Sequence, residues 1–234
     1  MLTLLLLGLA VAAAGSARAA ILFSEDFEGL GYENTGWIEA VGSPDPDYTA
    51  VPLHGAQSLR CNGVQIARRP FAYSTAFYMY FRVRWNSWDP FNNVIDWEDP
   101  GTATTASIFA DASKLQITHG GHSQLGTTTI LENTTYHIWL EWTKGTGSDG
   151  TFAMYISTDG VKPGSPEANV TNGNGNAVDR MFVGPFSDGE DVIFDEILVS
   201  DAPIGDSPDA NHPPTISSIS DQTISQGTAT GPIA

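Results

Sequence analysis

The stretch Phe77-Tyr78-Met79-Tyr80-Phe81-Arg82-Val83-Arg84-Trp85 decides the fold, because apolar side chains alternate along it with more polar ones. A period of two places the two sets of side chains on opposite faces of a β-strand. The same alternation recurs at residues 136–142 and 152–156, and glycine-rich turns such as Asp159-Gly160 separate the segments. The pattern predicts an all-β protein, built as an antiparallel sandwich or barrel.

Two acidic stretches lie at the ends of this strand-rich region. Ser24-Glu25-Asp26-Phe27-Glu28-Gly29 is the first, and Val192-Ile193-Phe194-Asp195-Glu196-Ile197-Leu198-Val199 is the last. A carboxylate inside a strand is unfavourable unless something pairs with it. If the first and last strands lie side by side, their carboxylates could share a cation such as calcium.

The composition is strongly acidic, with 27 Asp and Glu against 10 Lys and Arg and a formal net charge of -17. This charge repels nucleic acids and anionic membrane surfaces, so neither is expected as a partner, and it attracts divalent cations. Cys61 is the only cysteine, so no internal disulfide can form. We expect its side chain to be a small buried apolar group.

Residues 1–19 are predicted to be a signal peptide. A short apolar run ends near Ala17-Arg18-Ala19, which fits a signal-peptidase site, and the run is too short to span a bilayer comfortably. The protein is therefore expected to be exported, either secreted or held at the cell surface, without inserting into the membrane.

The pattern changes after Ser200. Residues 20–205 are predicted to be one domain, and residues 206–214 form a proline-rich linker. Residues 215–234 are strand-like but too few to bury a core, so we interpret them as the start of an immunoglobulin-like or cadherin-like domain. Further C-terminal domains are expected.

Several short stretches resemble known jelly-roll families. Phe27-Glu28-Gly29, residues 54–60 and Phe194-Asp195-Glu196-Ile197 are similar to the frame of calcium-binding jelly-roll carbohydrate modules. Residues 106–109, 114–117 and 134–141 resemble the concanavalin A-like lectin/glucanase superfamily, especially laminin-G-like domains of secreted bacterial proteins. The resemblance covers residues 21–205 and implies a two-sheet antiparallel jelly-roll sandwich.

The same resemblance implies a structural calcium ion between the first and last strands. It implies that Glu28 and Asp195 supply carboxylates and that main-chain carbonyls near Asp26 and His54 complete the site. Calcium takes six to eight oxygen ligands, which suits such a mixture. The alternative is that both carboxylates bind backbone amides and hold no metal.

The polar faces of the alternating strands provide a candidate glycan surface. Aromatic faces stack on sugar rings, while charged and polar groups hydrogen-bond to hydroxyls. The candidate carbohydrate-binding residues are Tyr78, Tyr80, Arg82, Arg84, Asp96, His137, Trp139 and Glu141. We predict a calcium-stabilised module that binds a polysaccharide or cell-surface glycan without cleaving it.

Two other classes of function are open, an enzyme and a structural domain. As an enzyme, a polysaccharide lyase could use Tyr80, Arg82, His137 and Glu141 to remove a proton beside a uronate. A glycoside hydrolase needs paired carboxylates, and Asp96 and Glu98 share a strand face, but Val94 stands where the resemblance to glucanases requires another acid. The third reading is a structural adhesion or spacer domain.

Overall fold

The computed structural model describes residues 20–29, 31 and 36–207. The predicted signal peptide, residues 208–214 of the predicted linker and the predicted start of a further domain at residues 215–234 lie outside the described residues. The described residues form β-strands joined by turns and loops and contain no helix. They accordingly include no helical segment able to cross a membrane.

Fifteen strands are found among the described residues. In chain order they are β1 (Ile21–Glu25), β2 (Ile38–Val41), β3 (Asp45–Tyr48), β4 (Ser58–Asn62), β5 (Ile66–Ser74), β6 (Ala76–Ser87), β7 (Asn92–Glu98), β8 (Thr104–Asp111), β9 (Lys114–His119), β10 (His122–Leu125), β11 (Thr135–Thr143), β12 (Gly150–Ser157), β13 (Ala168–Gly173), β14 (Val178–Val183) and β15 (Asp191–Ser200).

The strands build two antiparallel sheets. Sheet A has the order β13-β12-β11-β6-β15-β4-β3, and β1 also pairs with β15. Sheet B has the order β10-β9-β8-β7-β14-β5-β2. The prediction of an all-β, two-sheet antiparallel jelly-roll sandwich is confirmed.

The core lies between the two sheets and is rich in aromatic rings. Phe77 of sheet A stacks on Trp142 of its own sheet and on Trp97 of sheet B, with ring centroids 5.2 Å apart in both pairs. Phe81, Trp85 and Trp142 are buried, as their apolar strand positions predict, and Cys61 is buried beside them. Large aromatic side chains contribute much of the apolar area that stabilises such a core.

The first and last strands lie side by side, as the acidic stretches suggested. Ser24 of β1 pairs with Leu198 of β15, and the two strands run antiparallel. On the same edge of β15, β4 pairs with Asp191–Phe194, so residues 195 and 196 fall in the gap between β4 and β1. The backbone there forms a bulge against β6, and Glu196 has a φ of 46°. Bulges of this kind redirect side chains and often lie beside functional sites.

Candidate functional site

The carboxylate of Asp195 lies at the bulge and is fully buried. It accepts hydrogen bonds from the His54 amide, the Ser58 hydroxyl and the Glu196 amide, each at 2.8 Å. Burial raises the pKa of Asp195 to about 6, although these three hydrogen bonds oppose the shift. Asp195 thus attaches the loop before β4 to the last strand.

Glu28 binds the same loop from the other side. Its Oε1 accepts hydrogen bonds from the amides of Ala56, at 2.7 Å, and Gln57, at 3.2 Å. Gly55 has a φ of 58°, and a Cβ atom there would lie 2.0 Å from Glu28 Oε1, so the close approach requires glycine. Glu28 and Asp195 are therefore brought to one loop, as carboxylates that bind backbone amides.

Several oxygen atoms near Glu28 are possible ligands of the predicted calcium ion. The side-chain amide of Gln57 lies 2.9 Å from the carbonyl oxygens of Phe27 and Gly29. If its nitrogen faces these carbonyls it donates to both, whereas if its oxygen faces them, three oxygens converge and would need a cation between them. Carbonyl and amide oxygens are ligands that calcium accepts, so these are the residues that would hold such an ion, whereas the hydrogen-bonded orientation of the amide needs no metal.

Asp26 and His54, the other two predicted metal residues, do not bind the loop before β4 in the way that Glu28 and Asp195 do. The Asp26 carboxylate accepts the Glu28 amide at 3.2 Å, and the His54 ring lies 3.2 Å from the carboxylate of Glu196. Within the part of the chain that the structure describes, no three His, Cys, Asp or Glu side chains form a group that could hold a metal ion. Side-chain carboxylates alone would not complete a calcium shell here, so a bound ion would depend on main-chain and amide oxygens.

The outer face of sheet A carries the predicted polar cluster. The Tyr80 hydroxyl lies 2.9 Å from Nδ1 of His137, and it donates to Glu196 at 3.4 Å. Arg82 Nε donates to the same carboxylate at 2.5 Å. A cavity of about 220 Å³ lies between β1 and β15, with Tyr80 and Glu196 in its wall. Glu196 was not among the predicted residues, since only the bulge turns it towards Tyr80.

Part of this face is covered by residues 203–207, which we call the strap. Trp139 Nε1 donates to the Gly205 carbonyl at 2.8 Å, and the Ser207 amide donates to the Gly160 carbonyl at 2.9 Å. The rings of Tyr80 and Trp139 are fully buried. Both residues were predicted to stack on sugars, but with the strap in place neither ring is accessible.

The remaining predicted residues of sheet A are already engaged or lie towards its ends. Glu141 accepts hydrogen bonds from Lys162 Nζ at 2.7 Å and from the Tyr155 hydroxyl at 3.3 Å. Arg84 donates to Asn86 at 3.2 Å and to a main-chain carbonyl at 3.5 Å. Tyr78 is half-buried, opposite Glu141 in the strand register.

Asp96 does not join this cluster, because it lies on β7, in the other sheet. Its neighbours are fixed by register, and together they form a row across six strands on the outer face of sheet B, which we call the transverse row. Its members are Arg68, Phe182, Asp96, Ser107, Thr118 and Ser123. A second row beside it contains Asn93, Phe109, Gln116 and Leu125.

The Asp96 carboxylate has the most unusual surroundings on this face. It is 4% exposed, Oδ2 accepts a hydrogen bond from the Asn93 side chain at 3.1 Å, and Oδ1 is enclosed without a partner among the described residues. Burial raises the pKa of Asp96 to about 7; the Asn93 bond opposes the shift and the charge of Glu98 adds to it. A buried carboxylate with an unsatisfied oxygen and a shifted pKa is typical of a functional site.

Phe109 and Phe182 flank Asp96 and point away from the core. Both rings are half-buried and lie outside the core cluster, whereas Ile108 and Met181 beside them are fully buried. The sequence-based prediction missed this face apart from Asp96. The alternation of Leu115, Gln116, Ile117 and Thr118 was a usable signal for β9, but the pairing of β7 with β14 was not visible in the sequence.

Comparisons with known proteins show the fold. No protein-family model matches the sequence, and no curated protein matches it. Solved structures that it resembles include an endo-β-1,4-glucuronan lyase from the fungus Trichoderma reesei, with a TM-score of 0.56 and 13% identity over 78% of this chain and 96% of that chain. For the cellulose-induced protein Cip1 the TM-score is 0.55, with 17% identity over 78% of this chain and 99% of that chain.

A third structure is a carbohydrate esterase from the Shiga toxin-encoding bacteriophage phi24B. Its TM-score is 0.56, with 11% identity over 78% of this chain and 98% of that chain. The architecture that this chain shares with these structures is a two-sheet antiparallel jelly roll. At these levels of identity the likeness extends to the fold and does not transfer a site residue by residue.

Proposed function

We propose that this chain is an exported carbohydrate-binding module that holds a glycan on the outer face of sheet B without cleaving it. The observation that carries this proposal is the transverse row, in which aromatic and polar side chains follow one another and Asp96 has an unsatisfied buried oxygen. Rings such as Phe182 offer flat apolar surfaces to sugars, and polar neighbours can bind hydroxyls. Two of the similar structures are a glucuronan lyase and a carbohydrate esterase, which supports the same class of ligand.

Sheet A is the less suitable surface for a long glycan. The strap covers Trp139, and Arg82, His137 and Tyr80 are buried in contact with their neighbours. The sequence-based candidates on this sheet therefore need the strap to move before they can contact a polysaccharide, whereas Gln116, Thr118 and Phe109 are partly exposed.

We also propose that calcium, when bound, stabilises the domain at the contact of the β1 end with residues 54–57. Glu28 and Asp195 bind this loop, and the carbonyl oxygens of Phe27 and Gly29 lie beside it, each 2.9 Å from the side-chain amide of Gln57. An ion held there would reinforce contacts that the hydrogen bonds already make. It would act on stability and not on the glycan directly.

A glycan array followed by calorimetry tests the binding proposal. We expect Asp96→Asn and Phe109→Ala to weaken binding of the best glycan by about tenfold or more, the effect of losing one charge-assisted hydrogen bond or one stacked ring. Asp188→Asn, which removes an exposed carboxylate from the loop before β15, is the matched control and should bind like the original protein. Unchanged affinity in both sheet B variants would refute the proposed face.

A second candidate function is a polysaccharide lyase centred on Tyr80 and His137. It is favoured by the 2.9 Å contact between the Tyr80 hydroxyl and the His137 ring, a geometry suited to proton transfer, and by Arg82 beside it. A lyase would release unsaturated sugars, detected by ultraviolet absorbance. If such products form and Tyr80→Phe abolishes them, the enzyme reading replaces the binding module.

A further inference from the structure

The guanidinium of Arg68 stands at one end of the transverse row without a hydrogen-bond partner. Arg68 pairs with Phe182 in the strand register, and Phe182 pairs with Asp96, so the ring lies between a cation and a carboxyl group. Arg68 is half-buried, and its Nε atom is enclosed without a hydrogen-bond partner among the described residues. Enclosed N–H groups usually have partners, so this one calls for an explanation.

A cavity of about 260 Å³ opens beside Arg68, and Pro70, Asp179 and Arg180 also line it. Arg180 donates to the carboxylate of its neighbour Asp179, at 2.8 and 3.4 Å, so these two charges largely neutralise each other. Burial raises the pKa of Glu98, an effect that the nearby charges of Arg180 and Arg68 oppose. The cation in this cavity that has no bonded partner is therefore Arg68.

We infer that this end of sheet B is a subsite for an acidic sugar, a hexuronic acid whose carboxylate binds Arg68 while its ring lies on Phe182. The inference rests on the proposed glycan-binding function and names its ligand class. A guanidinium presents two parallel N–H groups that match a carboxylate, and such pairs are stronger than neutral hydrogen bonds. Asp96 lies on the other side of the ring in the strand register.

The net charge of -17 does not oppose this contact at short range. Charges farther away than the Debye length, about 8 Å at physiological ionic strength, are largely screened. A carboxylate hydrogen-bonded to Arg68 mainly experiences the groups that line the cavity, and among these the Asp179 charge is already balanced by Arg180.

The test compares a glucuronic acid oligosaccharide with a neutral glucose oligosaccharide of the same length and linkage, using calorimetry. We expect the acidic ligand to bind about tenfold more tightly, the effect of one charge-assisted pair. Arg68→Gln should abolish this preference, so that the acidic and the neutral ligand bind with equal affinity. Lys144→Gln removes the same charge from a distant turn and should keep the preference.

The outcomes separate this inference from the proposed function. Equal affinity for both ligands, or an equal loss of both in Arg68→Gln, would overturn the acidic subsite while leaving glycan binding in place. The same holds if neither ligand binds but other glycans on the array do. If no glycan binds at all, the proposed function fails as well. The melting temperature of Arg68→Gln, compared with that of Lys144→Gln, shows whether the variant is folded.

Discussion

Glu190 is a residue whose role only the folded protein reveals. It is fully buried immediately before β15, where its carboxylate accepts hydrogen bonds from the Trp85 indole and the Asn92 side chain, both at 2.5 Å. Burial raises its pKa to about 8, although both hydrogen bonds oppose the shift. A carboxyl group in such a site prefers to keep its proton at neutral pH.

Glu190→Gln is expected to reduce the pH dependence of stability. Because the pKa of Glu190 rises on folding from about 4.5 to about 8, the folded state binds more protons between these values. The free energy of unfolding therefore falls as the pH rises through this window, by at most about 1.4 kcal/mol per pH unit for one group. Urea unfolding at several pH values measures the slope, which should be smaller in the variant.

The control for this experiment is Asp188→Asn, an exposed acid two residues away. The slope of its unfolding free energy against pH should match that of the original protein. Asp96 and Asp195, whose pKa values are also raised on folding, contribute to this slope in every variant. The slopes are compared instead of the absolute stabilities, because a glutamine amide would place an N–H group against one of the two donors. An unchanged slope in Glu190→Gln would show that its carboxyl does not titrate in this window.

The strap is the element that changes the interpretation of sheet A most. Gly160 has a φ of 79°, and a Cβ atom there would lie 2.4 Å from the Ser207 hydroxyl and 3.4 Å from the His137 ring. The strap is also bound through Lys162, whose amide donates to Asp206 at 2.6 Å and whose Nζ donates to Ile204 at 3.2 Å. These contacts hold it over Trp139.

Gly160→Ala is expected to displace the strap. The added methyl group clashes with Ser207, and the backbone conformation at residue 160 is unfavourable for alanine. Hydrogen–deuterium exchange of a peptide covering residues 203–207 should become at least several-fold faster. Gly164→Ala, in the same loop with open space around its Cβ position, should exchange like the original protein. Equal exchange in both variants would mean that the strap does not depend on this contact.

Individual strands were predictable because their signal is local. The alternation at residues 77–85 and 136–142 placed Phe81 and Trp142 in the core and Tyr80 and His137 on the opposite face, as observed. Register between strands far apart in sequence was not predictable. Asp96 was therefore grouped with residues of sheet A, although its neighbours on β14 and β8 are Phe182 and Ser107.

At the scale of the whole molecule, the chain is closed by the contact of its first and last strands. β1 pairs with the second half of β15, and Glu28 and Asp195 both bind the loop before β4. These three segments meet at the bulge around Glu196, where β15 also pairs with β6. Stabilising this point should stabilise the entire sandwich, because the domain cannot unfold without separating these segments.

Calcium is expected to raise the melting temperature if it binds at this contact. At about a hundred times its dissociation constant the ion would stabilise the folded state by about 2.7 kcal/mol, or about 5 to 10 °C for a domain of this size. Chelation should reverse the shift, and Glu28→Gln should reduce it, while Asp188→Asn should retain it. A melting temperature that is the same in calcium and in chelator, with no metal by elemental analysis, would refute the proposed ion.

The sequence alone determined the fold class, because alternation and burial are properties of neighbouring residues, and it offered the adjacency of the acidic ends only as a hypothesis. It also identified Tyr80, Arg82 and His137 as members of one polar face. The tertiary structure decided which faces are accessible. The strap covers Trp139, and Arg68, Phe182 and Asp96 lie in one row, because segments that are distant in the sequence contact one another. A local sequence pattern contains no information on the free energy of these contacts.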